Sequence, residues 1–78
     1  MRLRDIREDR DLTQAIIAKH LNISQNTYSQ YENGVRQIPL KALMTLALFY
    51  NTSTDYLLGL TDDPRAYERS RRAAESIK

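Results

Sequence analysis

Thr13–Gly34, TQAIIAKHLNISQNTYSQYENG, is the stretch that decides how this chain folds. Thr13 offers a hydroxyl to a free backbone N–H of the following turn, so it starts a helix. Ile17, Ala18 and Leu21 recur at helical spacing and predict a helix over Gln14–Leu21. Asn22 follows. Apart from Gly, Asn enters left-handed geometry most readily, so it closes that helix and turns the chain. Ser24 caps a second helix over Gln25–Asn33, and Gly34 ends it. On this second helix Tyr28 and Tyr31 are three apart and face inward. Gln25, Asn26 and Ser29 lie on the other side, with Thr27 and Gln30 flanking.

Working outward, Leu3 and Ile6 are one turn apart and predict a first helix over Arg2–Arg10. Val35–Pro39 reads as a loop, because Pro39 disfavours helix at Ile38. A fourth helix over Leu40–Tyr50 places Leu40, Leu43, Leu46, Ala47 and Tyr50 on one stripe. Ala42, Met44, Leu48 and Phe49 widen it until only Lys41 and Thr45 remain clearly polar. Ser53 caps a short fifth helix, Thr54–Leu58, which Gly59 terminates. Asp63-Pro64 signals another helix start, and a sixth helix over Arg65–Ile77 is the expectation there. The reading is all-α: a domain over 1–60 and a charged extension over 61–78.

Seventy-eight residues allow one small domain, burying about 60% of its unfolded surface. With no cysteine, neither a disulfide framework nor a cysteine-ligated zinc staples it, so stability must come from helix packing. No apolar run approaches the ~20 residues that span a bilayer, and Met1-Arg2-Leu3 does not open a secretory signal. A cytoplasmic location follows as an expectation, with no membrane partner. Net charge is +2, but residues 1–63 carry seven Lys/Arg against eight acids, and the excess lies in residues 64–78, five against two. A nearly neutral body is a weak electrostatic case for nucleic acid, so side-chain type and geometry must carry that reading. Catalysis has no support: there is no cysteine, no His–carboxylate pair, no phosphate-binding glycine loop and no metal-ligand cluster. No cofactor and no small-molecule ligand are expected.

The set LTQAIIAKHLNIS (Leu12–Ser24), YSQYENG (Tyr28–Gly34), Ile38-Pro39 and STDYLLGLTDDP (Ser53–Pro64) resembles the lambda-repressor-like helix-turn-helix domains, also called the Cro/repressor or xenobiotic-response-element type. The resemblance runs from Leu3 to about Leu58. It implies a five-helix bundle, sequence-specific binding to double-stranded DNA, and dimeric docking on a palindromic operator. The side chains agree. A two-helix unit of this kind presents its second helix to the major groove while the first crosses the backbone. Gln and Asn can each bond in two places to adenine, and Thr can offer its methyl to thymine. Gln25, Asn26, Thr27 and Gln30 are therefore the expected base readers, with Ser29 a weaker candidate. Ser24–Asn33 contains no Lys or Arg, so A·T steps are expected to dominate the half-site core.

For the DNA backbone the resemblance puts the amide of Gln14 on a phosphate at the start of the second helix. Ser24, Asn33, Arg36 and Gln37 are the further backbone candidates. Arg7 and Glu32 match positions that pair between the first and third helices in several relatives, a structural role. Two departures stand out. Ile16 replaces the acidic residue that would complete a capping box after Thr13. Thr52 replaces an apolar plug before the fifth helix, which is expected to loosen that corner.

Each feature also has a plainer reading. Tyr28, Tyr31, Tyr50 and Tyr56 read as core. His20, the only histidine, lacks a second ligand and reads as solvated or near a phosphate. The girth of the fourth helix reads as core thickening ahead of a self-association patch, whereas Ile16 stays open between the two. The basic tail is a solvated helix, a phosphate contact, or a pairing element built on Tyr67, Ala74 and Ile77. From another class, an antitoxin-like protein-interaction module would use the same fold without DNA.

Overall fold

The structure is a computed structural model and describes residues 1–68. Five helices follow in order: α1 Leu3–Asp9, α2 Gln14–Leu21, α3 Gln25–Glu32, α4 Leu40–Phe49 and α5 Thr54–Leu58, with no strand among the described residues. α2 and α5 have the expected bounds; α1 is one residue shorter at each end, and α3 and α4 stop one residue early. The chain divides into two compact units, Met1–Ile38 and a second from Pro39 onward.

One device ends all five helices. A residue in the left-handed region follows the helix, and the next N–H reaches back five residues to a carbonyl that the helix leaves unsatisfied. The left-handed residues are Asp11, Asn22, Gly34, Asn51 and Gly59. The closing bonds are Leu12 to Arg7, Ile23 to Ala18, Val35 to Gln30, Thr52 to Ala47 and Leu60 to Asp55, all between 2.8 and 3.0 Å. Gly34 sits at φ +74° and Gly59 at +85°, where an L side chain is strained. Starts are less uniform. Thr13, Ser24 and Ser53 accept from the N–H of Ile16, Thr27 and Tyr56, while Arg2 and Pro39 supply no side-chain cap.

In the N-terminal unit α2 packs against α3. The buried apolar residues there are Leu3, Ile6, Ile17, Ala18, Tyr28, Tyr31 and Ile38. Both tyrosines of α3 thus face inward. Ile16 is 48% exposed, outside that core.

In the C-terminal unit α4 packs against α5, burying Leu43, Leu46, Ala47, Tyr50 and Leu57. Two expectations need correction. Leu40 belongs to the α4 stripe by spacing but is 70% exposed. It is the first residue of the helix, and helical side chains lean toward the N-terminus, so it overhangs the covered turns. Tyr56, expected in the core, is only half-buried. The girth of α4 is otherwise partly covered: Met44 and Leu48 are half-buried, and Phe49 meets Tyr50 edge-on at 5.1 Å.

Thr52 overturns the expectation of a loosened corner. It is 1% exposed, and its hydroxyl donates to the carbonyl of Pro64 at 2.6 Å. The hydroxyl in place of an apolar plug ties residue 64 to the start of α5. Tyr67 adds a second tie, donating to Asp55 Oδ2 at 2.9 Å. Asp63 accepts from the N–H of Arg65 at 3.0 Å, but residues 65–68 are not helical. The rest of the expected sixth helix, with Ala74 and Ile77, lies outside the described residues.

Candidate nucleic-acid interface

α3 is held by its own ends and by one buried carboxylate. At its start Ser24 Oγ accepts from the N–H of Thr27 at 3.1 Å and donates to Thr27 Oγ1 at 2.9 Å. That commits the Ser24 proton. What remains for an acceptor at this end is the pair of N–H groups of Gln25 and Asn26, in the first turn of the helix, which has no carbonyl of its own to bind them. These donors and the positive end of the helix dipole favour an anion.

The carboxylate is Glu32, on the last turn of α3, its side chain wholly buried. Burial alone would raise its pKa. Hydrogen bonds from Arg7, Tyr28 and Gln14 outweigh that and hold it at about 2, against an ordinary 4.5. Arg7 of α1 donates from Nε at 2.7 Å and from Nη2 at 3.1 Å. Gln14 of α2 donates from Nε2 at 3.1 Å, and Arg4 of α1 from Nε at 3.4 Å. Arg7 also gives Nη1 to the carbonyl of Leu12 at 2.8 Å, so one guanidinium joins α1, the turn after it, and α3. The hydrogen bond with Glu32 raises the Arg7 pKa above its ordinary value. This lock fixes α3 in rotation as well as position, because hydrogen bonds are directional.

With Tyr28, Tyr31 and Glu32 turned inward, the opposite flank of α3 carries the expected readers. Gln25 and Asn26 are exposed; Thr27, Ser29 and Gln30 are half-buried. Thr27 keeps its methyl and a hydroxyl proton. The backbone carbonyl of Gln30 accepts from the N–H groups of Val35 and Arg36 at 3.0 and 3.2 Å, which pins the loop carrying the exposed Arg36 and Gln37 to the end of α3. Two of the expected backbone contacts have partners within the protein. One donor of Gln14 is spent on Glu32, and Asn33 lies between two neighbours, accepting from Arg4 Nη2 at 2.6 Å and donating to Ser29 Oγ at 3.3 Å. Sequence reasoning paired Arg7 with Glu32 but missed Arg4 and the inward use of Gln14. The available signal was the i, i+3 spacing of Arg4 and Arg7 on one helix face.

No group of three His, Cys, Asp or Glu side chains able to hold a metal occurs among the described residues. No described helix is long and apolar enough to cross a membrane.

Comparison with known proteins follows the same lines. A family model described as helix-turn-helix matches residues 3–57. The chain is similar to YobD, an HTH-type transcriptional regulator of Bacillus subtilis (strain 168), with 43% identity over 63 residues, 81% of this chain and 56% of the relative. It is similar to ImmR, an HTH-type transcriptional regulator of the same organism, with 43% identity over 58 residues, 74% of this chain and 46% of the relative. Its similarity to RstR, the cryptic phage CTXphi transcriptional repressor of Vibrio cholerae, is 39% over 49 residues, 63% of this chain and 44% of that one. The chain thus spans about half the length of these curated relatives. No solved structure matches it.

Proposed function

The chain belongs to the helix-turn-helix family of DNA-binding transcriptional regulators, and within it we propose an operator-binding repressor that acts as a homodimer. The carrying observation is the two-sidedness of α3: Tyr28 and Tyr31 buried, Gln25 and Asn26 exposed on the opposite flank.

α3 enters the major groove, where Gln25, Asn26, Thr27 and Gln30 meet base edges. Arg36 and Gln37, together with the N–H groups at the start of α3, meet phosphates and set the register. The absence of Lys and Arg between Ser24 and Asn33 favours A·T steps, since the commonest guanine contact needs a guanidinium or an ammonium. A second copy places its own α3 about 34 Å away, one turn of duplex, which demands a palindrome. Leu58 and Leu60 are exposed in the C-terminal unit and give a second copy apolar area to cover. Repression is the direction named for the phage relative.

Selection from a random duplex pool tests this. The expected product is an A·T-bearing palindrome with half-site centres about ten base pairs apart. The exposed leucines also favour a protein-interaction module, and failure to retain any duplex at low salt would choose that reading.

A further inference from the structure

Arg4 lies in the first turn of α1, outside any DNA-reading element, yet it ends on the outward side of α3. Its Nη2 donates to Asn33 Oδ1 at 2.6 Å, and Asn33 Nδ2 donates onward to Ser29 Oγ at 3.3 Å. Its Nε reaches the buried Glu32 at 3.4 Å, so its own side chain, 52% exposed, is anchored at the root.

A carboxamide has one accepting and one donating end, and nothing in Asn33 itself decides which faces outward. Arg4 decides it. A guanidinium has only donors, so it takes the oxygen and leaves the NH2 end on the other side. That group has two hydrogens; Ser29 takes one, and the second remains for an acceptor. Ser29 Oγ, having accepted, has its own proton to give. The chain Arg4 to Asn33 to Ser29 therefore runs donor to acceptor in one direction and ends in N–H and O–H groups, complementary to a phosphate oxygen. With the amide reversed, its oxygen would face the phosphate and repel it.

We propose that Arg4 is a positioning residue for DNA binding: through Asn33 it orients a relay of donors toward a backbone phosphate, without itself touching the duplex. This rests on α3 docking in DNA. The 78-residue chain and four variants would be titrated with a duplex recovered from a random pool, across a salt series, at a temperature where circular dichroism shows all of them folded. Asn33→Asp keeps a partner for Arg4 but replaces the outward donor with an anion, and binding should weaken about tenfold or more as two like charges meet. Arg4→Ala should weaken binding about three- to tenfold, the size of an ordinary hydrogen bond, with the log–log salt slope unchanged. Arg4→Ala combined with Asn33→Ala should bind no worse than Asn33→Ala alone. A slope reduced by about 0.9 in Arg4→Ala would make Arg4 a direct phosphate contact and overturn the relay. Wild-type affinity in Asn33→Asp, or additive losses in the double variant, would overturn it as well. If the pool yields no duplex, the DNA reading falls and the relay with it; if it yields one, these outcomes bear on the relay alone.

Discussion

The two units of this chain are held together by different forces. In the N-terminal unit, side chains from α1 and α2 converge on the wholly buried carboxylate of Glu32 on α3. In the C-terminal unit, α4 and α5 bury Leu43, Leu46, Ala47, Tyr50 and Leu57, and the hydroxyls of Thr52 and Tyr67 tie down the segment beyond. Apolar burial is non-directional and tolerates small rotations of a helix. A carboxylate that accepts from several donors at 2.7–3.4 Å does not. The unit that carries α2 and α3 is the one fixed by directional bonds.

The largest expected effect breaks that contrast at its source. Glu32→Ala leaves Arg7 without its carboxylate, and removing one partner of a buried pair costs about 3–5 kcal/mol. A chain of this length has roughly 4–12 kcal/mol in all, so chemical denaturation should find this variant barely folded. A cost under about 1 kcal/mol would show that apolar packing holds both units alike. The same carboxylate sets an acid limit. Its folded pKa of about 2 lies below the ordinary 4.5, so the folded state binds the proton less readily than the unfolded one. Its stabilisation is complete above the ordinary value and is lost as pH falls from about 4.5 toward 2. Thermal melting from pH 7 to pH 2 should show that limb, and Glu32→Gln should flatten it.

Next in size is a contrast in function. Gln25→Ala should cost about 1–3 kcal/mol on the preferred duplex and relax preference at one base position. Leu60→Ala, in the other unit, should leave base preference intact, whatever it does to self-association. Equal weakening of every sequence by Gln25→Ala would remove that residue from base reading.

Much of this architecture is written in local signals. Thr13, Ser24 and Ser53 announce helix starts, and Asn22, Gly34 and Gly59 announce ends, because capping depends on a few adjacent residues. Asp11 and Asn51 end helices by the same device; the caps Thr13 and Ser53 two residues on mark these ends in the sequence, while the left-handed turn itself is fixed by the closing bonds of Leu12 and Thr52. The inward turn of Tyr28 and Tyr31 follows from spacing alone. The site was less legible where side chains meet across helices. Gln14 looked like a phosphate ligand, yet its amide donates to a residue eighteen positions away. Arg4 gave no sign of reaching Asn33, because that contact depends on how α1 lies over the end of α3.

Thr52 offers a smaller test, now in the C-terminal unit. Its buried hydroxyl donates to the carbonyl of Pro64 and holds residues beyond α5 in place. Thr52→Val keeps the shape and removes the donor, leaving the Pro64 carbonyl to find another partner. A loss of about 0.5–1.5 kcal/mol is expected, together with faster amide exchange around residues 61–67. Unchanged exchange there would mean that the Tyr67–Asp55 bond alone suffices.

The smallest effect should be a gain. Thr13 already accepts from the N–H of Ile16 at 3.2 Å, which is half of a capping box. The other half needs a carboxylate or amide at residue 16, reaching back to the N–H of Thr13. Ile16 is 48% exposed and contributes little to the core, so Ile16→Glu gives up little burial. It should stabilise the N-terminal unit by about 0.3–1.5 kcal/mol, and the added negative charge suits the positive end of α2. Destabilisation would show that Ile16 buries apolar area that the burial of the isolated chain does not reveal. If folding is stabilised but DNA binding falls with a shallower salt dependence, the carboxylate has come within reach of a phosphate, because its repulsion is strongest at low salt. That would place the start of α2, and not only α3, against the duplex.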